Sequence, residues 1–314
     1  MSNEPSCIHR TSIGGQAIME GVMMRGPEKT VIAVRNPQGE IVLEDLKDEA
    51  KYKKLKKIPI IRGIFNFVSS LTVGFSAINR STEIALTEEE LQPDKFDLWV
   101  EKHFGDKATK IITGVTMVIG VLLALGLFVF LPYGAMWGIE KLTGWSSGNW
   151  FYLIEGVVRI FIFILYIALV RRMKEIKRLF AYHGAEHKTI HCYEHGEELT
   201  VENAARYTTL HKRCGTNFLV IVMIISILVF SFIRPESQLL RLGLRILLLP
   251  VVAGISYEFI KLFGRFDNWF TTLLSWPGLM LQKLTTANPD EGQLEVAIAS
   301  LKAVIPENKD DAKW

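Results

Sequence analysis

The chain has 314 residues, of which 49% are hydrophobic and 22% charged, with a formal net charge of +3 and a mean hydropathy of +0.22. Positive hydropathy beside ordinary charge content requires apolar and polar residues to be segregated along the chain, the pattern of a membrane protein rather than of one soluble domain. The three cysteines Cys7, Cys192 and Cys214 show no CxxC spacing, which argues against a disulfide framework, and the small net charge gives no footprint for direct nucleic-acid reading.

Residues 1–15 are polar and lack an apolar core, so no signal peptide is expected. Residues 12–26 combine glycines with Glu20 and Arg25 but match neither the dinucleotide fingerprint nor the Walker loop. They read as a packed strand with glycine bulges or as a ligand-contacting loop. Residues 30–44 alternate around Asn36-Pro37-Gln38-Gly39, a type I turn, and predict a β-hairpin. Residues 1–57 thus form a β-rich part.

Ile61, Ile64, Phe65, Val68, Leu71, Phe75 and Ile78 recur at helical spacing opposite Asn66, Ser69, Ser70 and Asn79, after five lysines from Lys51 to Lys57. Over 58–80 this predicts an interfacial helix anchored to anionic membrane lipid, or an amphipathic helix packed on the chain's own spans. A connector over 81–110 follows.

A span needs about 20 largely apolar residues, and four stretches between 111 and 263 meet this. They are 111–139; 150–170, with Glu155 and Arg159 one turn apart; 214–233; and 239–263, with Arg241, Arg245, Pro250 and Glu258. The loop from 171 to 213 holds nine Lys and Arg, against one (Lys141) and one (Arg234) in the other two loops. That loop and both termini are therefore expected on the cytoplasmic side of the membrane. Glu155, Arg159, Arg241 and Arg245 fall at similar depth and read as a polar pairing between helices or as an ion or substrate path. Residues 264–314 predict a second interfacial stretch with Trp269, Phe270, Leu273 and Trp276, then a helix capped by Asp290 with Leu294, Ile298, Leu301 and Ile305 on one face. The fold class is a mainly α polytopic membrane protein of about four transmembrane helices, with interfacial helices and a small cytoplasmic α+β cap.

Four of the seven histidines fall within the thirteen residues from His183 to His195. His183 and His187 sit at i and i+4, which turns both imidazoles to one helical face, and Glu186 lies on the same side. HxxEH is the inverted-zincin pattern, in which two histidines hold zinc and the glutamate is the general base. A second copy runs from His191 to His195 in phase. A third ligand would come from His211 or Cys214, just before the third span, or from Glu258 in the fourth. The bland reading is a solvated helix whose histidines make ordinary hydrogen bonds.

The strings GGQAIMEGVMMRG, YHGAEHKTIHCYE, HKRCGTNF, LLPVVAGISYEFIK and QLEVAIASLKAV are similar to those of the YqhQ-like family of bacterial membrane proteins, built on domain of unknown function 1385. The resemblance spans nearly the whole chain. It implies a metal-dependent enzyme with histidine-rich motifs at His183, Glu186, His187, His211 and Cys214, and leaves His191 and His195 outside them. The expected function is a membrane-embedded, cytoplasm-facing zinc hydrolase with Glu186 as base and a membrane peptide or lipid as substrate. The alternative is a non-catalytic adaptor that docks the ribosome, the protein-export channel or another membrane complex.

Overall fold

The computed structural model describes residues 10–46, 58–87, 89, 95–105, 108–145, 150–233, 238–266 and 268–312. The lysines between 51 and 57, together with Cys7 and Asp267, lie outside the described residues.

Strands β1 (Gly14–Ile18), β2 (Gly21–Arg25), β3 (Thr30–Arg35) and β4 (Ile41–Leu46) form one antiparallel sheet in that order. Residues 12–26 are thus a hairpin rather than a single bulged strand. The hairpin predicted over 30–44 is β3–β4, in register from Thr30↔Leu46 to Arg35↔Ile41. Its turn is closed by Gly39 N–H donating to the Asn36 carbonyl (2.9 Å).

The inner strands are apolar without alternation because both sheet faces are covered. On one face Val22, Met24, Val31 and Ala33 share a core with Tyr182 and Ala185 of helix α6 (Lys174–Glu194) and with Leu294, Ala297 and Leu301 of α11 (Glu291–Val304). On the other, Ile18, Met23, Ile32 and Val34 pack on Val73 and Ala77 of α1 (Ile61–Ala85). Helix α11 starts at Asp290 with a full capping box shared with Gln293.

Helix α2 (Lys95–Phe104) interrupts the expected connector. Helix α3 (Ala108–Leu125) runs through a π-helical turn, Gly126–Phe130, into α4 (Leu131–Thr143). Next come α5 (Phe151–Val170), α6, the short α7 (Val201–Ala205), α8 (Gly215–Phe232), α9 (Gln238–Arg265, with Pro250 inside it) and α10 (Trp269–Thr285). Among the described residues, five segments are long and apolar enough to cross a membrane: Ile61–Ala85, Gly114–Thr143, Leu153–Val170, Gly215–Phe232 and Gly243–Leu262.

The segment beyond the four expected from sequence is α1, which qualifies by length and composition. Helix α1 continues to Ala85, and its buried stripe consists of Gly63, Val73, Gly74, Ala77 and Ser81. Small residues let another backbone approach closely: a Cβ at Gly63 would lie 2.8 Å from the Gly254 backbone of α9. The larger apolar residues Val68, Leu71, Phe75 and Ile78 are exposed.

Between α5 and α9, Glu155 accepts from Arg159 (2.6 Å) and from both terminal nitrogens of Arg245 (2.7 and 2.8 Å), and Arg159 Nε donates to the Phe128 carbonyl of the π turn (2.8 Å). This is a helix-bridging network in which, among the described residues, Arg245 Nε alone is buried without a hydrogen-bond partner. The side chain of Arg241 lies outside the described residues.

Candidate functional site

Helix α6 packs one side on the sheet and another on the segment after α10. A Cβ at Gly184 would come within 2.0 Å of the Ala287 carbonyl oxygen, so the glycine that weakens α6 as an isolated helix is what lets residues 285–287 lie against it. Ala287 N–H donates to the Phe180 carbonyl (2.8 Å). The Thr285 carbonyl then sits 2.9 Å from His183 Nδ1.

From the other side comes the loop between α7 and α8. His187 Nδ1 lies 2.5 Å from the Thr209 carbonyl, and His191 Nε2 lies 2.9 Å from the Leu210 carbonyl. Gln282 of α10 grips the same loop, accepting from His211 N–H (2.7 Å) and donating to the His211 carbonyl (2.8 Å). The loop ends at Cys214, the N-cap of α8, whose sulfur accepts from Thr216 N–H at 3.3 Å.

His183, His187 and Cys214 thereby meet, with one ligand atom from each within 4.8 Å of the others. His183 Nε2 is 3.1 Å from Cys214 Sγ. Each Nδ1–H donates to a backbone carbonyl, which fixes the tautomer and turns the Nε2 lone pair toward the sulfur. His187 Nε2 is buried and has no hydrogen-bond partner. An orphaned imidazole nitrogen facing a thiol is costly unless a cation completes it, so these residues fit a metal of zinc's preference for nitrogen and sulfur donors.

The electrostatics agree with a cation position. Burial opposes the Cys214 thiolate, yet His183 and His187 outweigh it and hold the thiol well below its usual range. Burial likewise opposes the His183 imidazolium, but Cys214 and Glu186 raise it to about 9. Glu186 is buried, and its carboxyl is pushed up by desolvation against the pull of His187 and His183. One of its oxygens accepts from Gly15 N–H at 2.9 Å. A raised carboxyl beside His183, His187 and Cys214 suits proton transfer.

Glu186 and Cys214 open onto a cavity of about 560 Å³ walled by β1, β2, α1 and the start of α8. Two sequence-predicted ligands are placed elsewhere. Glu258 is ion-paired with Arg62 of α1 and accepts from Ile60 N–H (3.3 Å), a pairing 196 residues apart in sequence that removes it from the cluster. His211 is 5.5 Å from His187 between ring centroids but joins His191 and Glu194 in a second group. There the cation is internal: Arg213 is ion-paired with Glu194, and the same nitrogen lies 3.3 Å from His211 Nε2. Glu194 also accepts from Thr11 N–H (2.7 Å). Burial together with Arg213 keeps His211 neutral, and burial lowers His191 to about 4. Gly15, Thr209, Gln282 and Thr285 are the contributors that sequence reasoning missed; they act through backbone groups or a lone amide and leave no motif.

The family described as "Protein of unknown function (DUF1385)" matches residues 58–307, which include His183, His187 and Cys214. The chain is 34% identical over 300 residues to "Uncharacterized protein YqhQ" of Bacillus subtilis (strain 168), covering 93% of this chain and 92% of that one. Neither description names a metal or a reaction, so the metal chemistry rests on geometry alone. No solved structure matches the chain. The chain belongs to the DUF1385 family.

Proposed function

We propose that this member of the DUF1385 family is a membrane-embedded, zinc-dependent hydrolase with its site on the cytoplasmic face, acting on a membrane peptide or lipid. The observation that carries the reading is the convergence of the His183 and His187 rings on the Cys214 sulfur, with both Nδ1 atoms on backbone carbonyls and His187 Nε2 orphaned. Three protein ligands leave one tetrahedral position for water or substrate. Zinc held there would supply Lewis acidity. His183, His187 and Cys214 would hold it, and the Thr285 and Thr209 carbonyls orient the rings. Glu186, at the cavity wall with a raised carboxyl, would take and return the proton of the attacking water, while Gly15 N–H fixes its orientation. The nine basic residues between 171 and 213 support the cytoplasmic placement.

The test is elemental analysis of the detergent-purified, tag-free protein beside His183→Ala, His187→Ala and Glu186→Gln. The expected outcome is about one equivalent of zinc, lost in both histidine variants and kept in Glu186→Gln, which in turn loses hydrolysis of labelled peptide or lipid in proteoliposomes. A folded wild-type protein that takes up no stoichiometric metal when zinc is supplied overturns the reading and favours the adaptor.

A further inference from the structure

The cavity beside Cys214 carries more information than its position. Among its lining residues the basic groups are Arg25, His211 and Arg213, and the one carboxylate is Glu186. The charge of Arg213 is balanced by Glu194. The wall also includes Gly215, the first residue of α8, where the helix dipole presents its positive end. The hydroxyls of Ser12 and Ser70 and the amide of Gln16 complete a polar lining suited to an anion.

The surroundings are apolar. Ser70 and Val73 belong to α1, whose outer face exposes Val68, Leu71 and Phe75, and Cys214 and Gly215 open α8, a helix apolar enough to cross a membrane. The cavity meets α8 at its N-terminal end, the level of lipid phosphates for a spanning α8, and Ser70 and Val73 set it beside the middle of α1, whose apolar flank acyl chains can rest on. Its volume is in the range of small-ligand sites.

Gly14 marks the floor. A Cβ there would meet nothing within 4 Å, and its φ is not left-handed. Neither the backbone nor packing asks for glycine at this position, which lines the cavity and has open space beside it.

We propose that this cavity binds the phosphate of an anionic membrane-lipid headgroup, with Arg25 as its charge partner and Gly14 keeping the space open. The proposal rests on the hydrolase reading only for what happens after binding. Inorganic phosphate offers the same chemistry from solution, and the apolar flank favours the lipid source.

The test uses the full chain in phosphatidylcholine nanodiscs titrated with phosphatidylglycerol, counting bound phosphatidylglycerol by native mass spectrometry and zinc in the same samples. A parallel arm adds inorganic phosphate. Wild type is expected to retain phosphatidylglycerol, Arg25→Gln to bind it about tenfold more weakly, as one charge-assisted hydrogen bond implies, and Gly14→Phe to exclude it, all with unchanged zinc. Gly14→Phe guards against a folding defect in Arg25→Gln, because the added ring enters open space. Unaltered phosphatidylglycerol binding in both variants overturns the proposal. So does inorganic phosphate that binds as tightly as the lipid, or an extended peptide that Gly14→Phe excludes while phosphatidylglycerol does not bind. Arg25-dependent lipid binding in a protein without zinc would sink the hydrolase reading and leave the headgroup site; zinc without lipid binding would do the reverse.

Discussion

Helix α6 carries the same pattern twice, His183-Gly-Ala-Glu-His187 and His191-Cys-Tyr-Glu-His195, and the two copies have different fates. In the first, a thiol arrives from the loop before α8 and leaves His187 Nε2 unsatisfied. In the second, a guanidinium arrives from the same loop one residue earlier, pairs with Glu194 and lies against His211. His195 Nδ1 turns back to the His191 carbonyl at 2.7 Å, and its ring packs 4.8 Å from that of Tyr207. The first copy faces a thiol, and the second faces a guanidinium. Helical spacing brings imidazoles and a carboxylate to one face, but what faces them from outside the helix decides their chemistry.

The contrast breaks most completely at Cys214. Cys214→Ser should lose its zinc while staying folded, because serine is a preferred N-cap and can still accept from Thr216 N–H. Zinc retained in full would remove the thiol from the site. Next is Arg213→Met, which leaves a buried Glu194 uncompensated and should cost about 3–5 kcal/mol of stability by chemical denaturation. If the guanidinium alone separates the copies, the surviving folded protein should take up a second zinc; unchanged stability would show that Arg213 does not fill that position. The smallest effect is that of pH. His191 has a folded pKa of about 4 against an ordinary 6.5. Its neutral form therefore contributes stability that is complete above 6.5 and is lost as pH falls toward about 4. The slope is at most about 1.4 kcal/mol per pH unit for each such histidine. Metal-free protein should melt progressively lower across that window, and His191→Gln should flatten the profile. A midpoint insensitive to pH there would mean that His191 is hydrated.

What was legible in the sequence was local. Hydropathy located α3–α4, α5, α8 and α9, the Asn36–Gly39 turn gave β3–β4, and Asp290 marked the start of α11, because each signal sits within a few neighbouring residues. The i, i+4 histidines and the nearby Cys214 were legible for the same reason. Glu258, one of three candidates for the third ligand, is held by Arg62, 196 residues away in sequence, and of the two readings of 58–80 the helix packed on the chain's own elements agrees with the buried stripe that α1 turns to α9 and the sheet. The backbone carbonyls of Thr209 and Thr285 have no sequence signature at all: any residue supplies one, and only the fold aims it.

The carbonyl that orients His183 belongs to Thr285, 102 residues further along the chain. Between the two lie α8 and α9, both apolar enough for membrane insertion. A nascent chain therefore exposes its thiol and imidazoles well before it owns the acceptor that aims them. Completion of the cluster is postponed until α10, which ends at Thr285, has been synthesised and has come to lie against α6.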